Sequence, residues 1–196
     1  MSLEDVADPS CTLSFGIVQP GDDFLSGLPI VRPTDLGEKA IRLNGLKRID
    51  PRLADGYRRT TLHGGELLLC VRGSTGVASI AAPELTGANV TGGIVPIRFN
   101  TSLVLPDFGY FHVKSEHVQG QIRDKTYGAA LMQVNIRDLR AVTLLVPPIK
   151  EQSFIASSLN ELEVETQHLT NLYERKLAAL EDLKKSLLQQ ALNGEL

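Results

Sequence analysis

The chain has 196 residues, 42% of them hydrophobic and 22% charged, and a formal net charge of −3. This composition is that of an ordinary folded protein and excludes disordered and fibrous classes. Two cysteines, Cys11 and Cys70, imply no disulfide framework and fit a reducing compartment.

No apolar run approaches the roughly eighteen residues that a membrane-spanning helix requires. The opening segment is acidic (Glu4, Asp5, Asp8) and lacks the apolar core of a signal peptide. The expected location is therefore the cytoplasm. Charge is unevenly spread. Residues 151–196 hold four Lys/Arg and eight Asp/Glu, whereas residues 1–150 hold sixteen Lys/Arg and fifteen Asp/Glu. A mildly basic body attached to an acidic tail permits nucleic-acid binding by one face of the body.

From Leu13 to Pro147, short β-type runs alternate with Gly, Pro and Asp. Strands are predicted around Phe15–Val18, Leu28–Arg32, Glu66–Val71, Val77–Ile80, Gly93–Phe99 and Ala141–Leu145. Turns fall at Pro20-Gly21-Asp22-Asp23, His63-Gly64-Gly65 and Arg72-Gly73-Ser74-Thr75-Gly76. A short strand or turn is expected within Thr34–Asn44, and a loop or short helix at Pro51–Arg59. One or two helices are expected over Pro106–Lys125, with Phe108, Phe111 and His112 on one face and Val118 and Ile122 on another. Asp138 lies near a helix start. The strands do not alternate regularly with helices, so the class is α+β, not a parallel doubly wound fold.

Four stretches suit contact with nucleic acid. In Arg72-Gly73-Ser74-Thr75-Gly76 the glycines allow a tight turn, and Arg72 with the Ser74 hydroxyl can hold a phosphate; a plain β-turn between core strands explains the same residues. Lys47, Arg48, Arg58 and Arg59, near Tyr57, can neutralise phosphates or pair with guanine. Arg123 and Lys125 form a second basic patch beside Tyr127. Asn89 and Thr91, at an expected loop tip, can read bases. Each is also consistent with an ordinary solvated loop.

Catalytic signatures are missing. His63, His112, His117 and His168 lack metal-ligand spacing, and neither cysteine has a zinc-like partner. There is no nucleophile elbow and no Gly-x-Gly-x-x-Gly after a strand. Val146-Pro147-Pro148 lacks the Asp/Asn-Pro-Pro-aromatic arrangement of an amino-methyltransferase.

The C-terminal stretch is the most informative. After Pro147-Pro148 come about forty residues without Pro or Gly, ending at Asn193-Gly194. Leu159, Thr166, Tyr173, Leu180 and Leu187 form one row. Leu162, Leu169, Lys176, Leu183 and Gln190 form a second row three residues on. Alternating steps of three and four place both rows on one helical face. Such a helix is roughly 60 Å long, more than a compact domain of this size covers, and it calls for a partner. Packing back onto its own domain is the plainer alternative. Pro148 and Glu151 suit the helix start, and Gly194 suits its stop.

Val146-Pro147-Pro148-Ile149-Lys150-Glu151-Gln152, this helix, and the ending from Lys184 to Leu196 together resemble the specificity subunit of type I restriction–modification enzymes. There a "PP-x-x-EQ" entry leads into a spacer helix that closes on "K-x-S-L-L-Q-Q-A-x-x-G-E-L". Upstream, Leu28–Leu36 is similar to the family's "G-x-P-x-x-R-x-x-D" block, and Gly65–Gly76 to its "GDLL-x-x-R-G-S-x-G" hairpin, with Glu66 replacing the usual Asp. Phe15–Gly21 resembles its opening strand and Gly128–Leu139 its final segment.

The resemblance implies three parts: an N-terminal segment 1–12, a target recognition domain 13–147, and a spacer helix 148–196 forming an antiparallel coiled coil. The implied function is sequence-specific recognition of one half of a bipartite duplex DNA target by a noncatalytic subunit of bacterial or archaeal origin. The implied partners are the modification (methyltransferase) subunit, the restriction subunit and a second copy of this chain. Dimer packing falls to Leu159, Leu162, Leu169, Tyr173, Leu180, Leu183 and Leu187. No cofactor is expected in this chain, because S-adenosylmethionine, ATP and Mg would belong to the partner subunits. The alternative is a coiled-coil adaptor that binds protein and not DNA.

Overall fold

The structure is a computed structural model and describes residues 1–194. Glu195 and Leu196, the last two residues of the closing motif, lie outside the described residues. The chain divides into two compact units, Met1–Ser153 and Phe154–Leu196.

The first unit is built on a four-stranded sheet. Its strands are β2 (Ala40–Ile41), β5 (Ala78–Ala81), β4 (Leu67–Cys70) and β7 (Ile94–Ile97), in the order β2-β5-β4-β7. All four residues of β4, Leu67-Leu68-Leu69-Cys70, are buried. A central strand flanked on both sides accounts for this unbroken apolar run. Pro96 opposes Leu68; β7 is at the sheet edge, where the missing proline N–H costs no ladder bond.

A second sheet sets β1 (Leu28–Val31) between β3 (Lys47–Ile49), antiparallel, and β6 (Asn89–Val90), parallel. The core between these elements includes Val31, Ile41, Leu62, Leu68, Ala81, Leu85, Val90 and Ile94.

Helices α2 (Pro106–Lys114) and α3 (Glu116–Asp124) follow, and α2 packs on β4 and β5. Phe108 is buried and stacks on His112 at 5.4 Å between ring centres. Phe111 is only half-buried; Tyr110 and Val113 take the core positions on that helix. Val118 and Ile122 are both buried, as their spacing requires. The hairpin β8 (Thr126–Tyr127) and β9 (Gln133–Val134) leads into α4 (Ile136–Arg140), with Asn135 before its first residue.

Two predicted strands are not strands. Phe15–Val18 makes only a parallel bridge, Ile17 to Thr91, and Ala141–Leu145 only an antiparallel one, Thr143 to Ser2. Both β-type runs lie against partners too short to form a ladder. The partner of the second is the chain's own beginning. Leu3 N–H donates to Val142 at 2.7 Å, and Leu144 N–H donates to Met1 at 2.8 Å. Leu3 and Val6 of α1 (Leu3–Val6) are buried. Through Leu3, Val6 and Cys11, which are buried, residues 1–12 are thus anchored in the first unit. Conversely, Lys47 and Arg48, for which no strand was predicted, lie in β3.

Helix α5 (Ile149–Leu192) is continuous over 44 residues. It starts directly after Pro148 and stops before Gly194, whose φ of +73° is the left-handed conformation of a helix stop. The first turn belongs to the first unit. There Gln152, fully buried, donates to the carbonyls of Leu103 (2.7 Å) and Pro147 (2.8 Å) and accepts from Leu105 N–H (2.9 Å). These three bonds are the physical content of the glutamine in the Glu-Gln motif. In the second unit the apolar rows are open to solvent: Leu162, Leu169, Tyr173, Leu180, Leu183 and Leu187 are each 44–62% exposed, and Leu159 is half-buried. Among the described residues no helix is long and apolar enough to cross a membrane.

Candidate nucleic-acid interface

The basic residues singled out above fall into distinct surroundings. Lys47 and Arg48 hold the loop before β1 in place. Lys47 Nζ donates to Gly21 carbonyl at 2.7 Å, and the Arg48 guanidinium donates to Gly27 carbonyl at 3.0 Å. With Asp23, Phe24, Leu25 and Arg32 they line one cleft. Arg32 itself is forked onto Asp35 (3.1 and 2.7 Å), whose carboxylate also accepts the Arg32 N–H. That hydrogen bonding raises the Arg32 pKa above its usual value. The Arg-x-x-Asp block is therefore a structural clasp around the turn at Pro33–Asp35.

Arg58 and Arg59 are exposed on a 3₁₀ turn, Arg58–Thr60, beside a cleft lined by Ser14, Phe15 and Tyr57. The expected base readers Asn89 and Thr91 are not at a loop tip. Asn89 has no exposure and Thr91 only 9%. Pairing of β6 with β1 pulls this segment into the core. Asn89 instead accepts from Thr60 Oγ1 (2.7 Å) and donates to Tyr57 carbonyl (3.1 Å). It anchors the turn that carries Arg58 and Arg59, a supporting role.

Arg72 and Ser74 are exposed on the turn joining β4 to β5, next to the segment that follows α3. Gly73 N–H donates to Met132 carbonyl and Val134 N–H to Val71 carbonyl, at 2.8 and 2.9 Å. Residues 71–73 thus lie antiparallel to β9, with Arg72 opposite Gln133. Two of the sequence patches, 72–76 and 123–127, become one surface. Gln119 of α3 seals the join by donating to Gly76 carbonyl at 3.0 Å. Lys125 is half-buried there; Arg123 is exposed but ion-paired with Glu116.

A relay of side chains crosses this surface. Arg72 Nη2 donates to Gln133 Oε1 (3.3 Å), Gln133 Nε2 to the Tyr127 hydroxyl (3.0 Å), and that hydroxyl to Asn135 Oδ1 (2.5 Å). Beneath it the buried Cys70 thiol donates to Arg72 carbonyl at 3.2 Å; burial raises its pKa, so it is an inert prop. The turn of the hairpin depends on Gly128 (φ +119°): a Cβ there would lie 2.2 Å from Leu131 carbonyl oxygen. Across the sheet, a Cβ on Gly93 would fall 2.8 Å from Pro33 and 3.7 Å from Arg72 Cβ, so the Arg32 turn borders the Arg72 surface. Gln133 carried no signal in the sequence, because its partner Arg72 lies 61 residues away along the chain. Among the described residues no cluster of three or more His, Cys, Asp or Glu is placed to hold a metal ion.

No protein-family model matches the chain. A curated relative, the Type I restriction enzyme EcoBI specificity subunit of Escherichia coli, is 24% identical over 194 residues, 99% of this chain and 41% of the relative. Three solved structures share the fold. A chain solved in work on complex assembly and conformational transition of the type I restriction–modification system has a TM-score of 0.71 at 21% identity, covering all of this chain and 46% of that one. The HsdS subunit from Thermoanaerobacter tengcongensis gives 0.67 at 20% identity, over all of this chain and 45% of that one. The S subunit from M. genitalium gives 0.55 at 16%, over 89% of this chain and 41% of that one. The chain thus spans a little under half the length of the relatives it matches. In sequence and in fold, over essentially its whole length, it is similar to one half of a specificity subunit of type I restriction–modification systems.

Proposed function

We propose that this chain recognises one half of a bipartite duplex DNA target and docks the modification subunit of a type I restriction–modification complex. The observation that carries this reading is the end-to-end similarity to half of a specificity subunit, helix included. The first unit offers Lys47, Arg48, Arg58, Arg59, Arg72, Ser74, Arg123 and Lys125 to duplex DNA. The second half of the recognition unit comes from another copy of the chain or from the remainder of a longer subunit. The exposed rows from Leu159 to Leu187 pair antiparallel with the equivalent helix, and the pair sets the gap between the half-sites. The chain is a noncatalytic reader in this scheme; S-adenosylmethionine, ATP and Mg belong to the modification and restriction subunits.

Mapping methylated adenines in the native genome, with and without this gene, tests the reading. Loss of one bipartite methylated motif on deletion is the expected result. An unchanged methylation pattern overturns it.

A further inference from the structure

The cations on the first unit are not equivalent, and their bonding divides them. Lys47 and Arg48 already hold loop carbonyls, and Arg123 is paired with Glu116. Arg58 and Arg59 are exposed on a turn, the setting of flexible charges that suit phosphates. Arg72 differs. It is held at one corner by an uncharged amide, Gln133, and keeps its full charge and most of its five N–H donors. Its backbone is fastened into a small ribbon by the bonds of residues 71–73 to 132–134.

A two-stranded ribbon fits the major groove of B-form DNA. In that groove guanine presents two acceptors, N7 and O6, to a guanidinium fork.

We propose that Arg72 reads a guanine in the major groove, and that Gln133 is the positioning residue that holds its guanidinium for that contact. Tyr127 and Asn135 complete the support: each accepts a hydrogen bond from the member before it, so that Gln133 is oriented with its oxygen toward Arg72. The proposal rests on the DNA-recognition reading above and goes further, to the residue and the base.

The test uses the whole chain with its modification subunit and duplex oligonucleotides of the mapped target, each base pair substituted in turn. The wild type discriminates against replacement of one guanine. Arg72→Ala loses that discrimination, by about 5- to 150-fold at that position, and keeps it elsewhere. Gln133→Ala weakens it at the same position. Gln133→Glu, which ties the guanidinium to a carboxylate and removes the donor to the Tyr127 hydroxyl, weakens it at that position as well and leaves the other positions unchanged; a loss spread evenly over all positions would mark a purely structural role and overturn the positioning role of Gln133. Equal weakening on every sequence, with the log–log salt slope reduced by about one, identifies a phosphate contact and overturns the proposal. Unaltered discrimination in Arg72→Ala also overturns it. A wild-type complex with no sequence preference overturns the functional reading itself.

Discussion

Glu66 has no solvent exposure, and its charge is met by Arg98 Nη2 at 2.7 Å and by the backbone N–H of His63 at 2.7 Å. Its other oxygen, Oε2, has no hydrogen-bond partner among the described residues. A buried carboxylate that relies on one cation is costly to strip. Arg98→Ala should destabilise the first unit by about 3–5 kcal/mol, measured by urea denaturation. A loss below about 1 kcal/mol would show that the carboxylate does not depend on Arg98.

His112 is the second such residue. Its Nε2 accepts the Leu145 N–H at 2.9 Å, and its ring stacks on Phe108 and on His117. Burial first, then the neighbouring His117, lowers its pKa below 6.5. The folded state therefore favours the neutral ring. The stabilisation is complete above pH 6.5, falls as pH drops through the depressed value, and is absent below it. The denaturation midpoint should decline with acidification in this window, and His112→Gln should decline less. Equal declines would assign the effect to other groups.

At the scale of elements, the β8–β9 hairpin and the two ends of α5 are held by few residues. Gly128→Ala forces a Cβ against Leu131 in a backbone region that L residues avoid. A cost of about 1–3 kcal/mol is expected, with lost amide protection around Arg72 and Gln133 in hydrogen exchange. Native protection in that variant would contradict the turn geometry. Gln152→Ala leaves Leu105 N–H and two carbonyls without their partner. The expected destabilisation is at least about 1–3 kcal/mol, whereas Glu151→Ala, exposed on the same turn, should be almost neutral. Thermal melts of the two variants separate these outcomes.

At the scale of the whole molecule, charge and association decide behaviour. Helix α5 exposes Leu180, Leu183 and Leu187 by 62%, 54% and 44%. A lone helix with such a face gains little from propensity and most from tertiary or quaternary packing. If α5 pairs with a second copy as proposed, the wild type sediments as a dimer, and Leu180→Lys with Leu187→Lys shifts it to the monomer while the first unit's melting stays unchanged. A monomeric wild type, or an association state that the double variant leaves unaltered, would overturn pairing through α5.

How much of this was legible beforehand follows from the range of the interactions involved. The long helix after Pro147-Pro148, its stop at Gly194, the strand around Glu66–Val71 and the pair Val118/Ile122 were readable. Each depends on a local period, a proline or a glycine, and such signals act within a few residues. The α+β class and the family likeness followed from the order of those local signals.

What only the tertiary structure decided was pairing. It made Lys47-Arg48 a strand, withdrew Asn89 and Thr91 into the core, and turned Phe15–Val18 and Ala141–Leu145 into single bridges. It also set Gln133 against Arg72. These outcomes depend on which backbone lies alongside which, across tens of residues. A linear pattern of side chains shows that a residue can join a ladder but not which partner it meets.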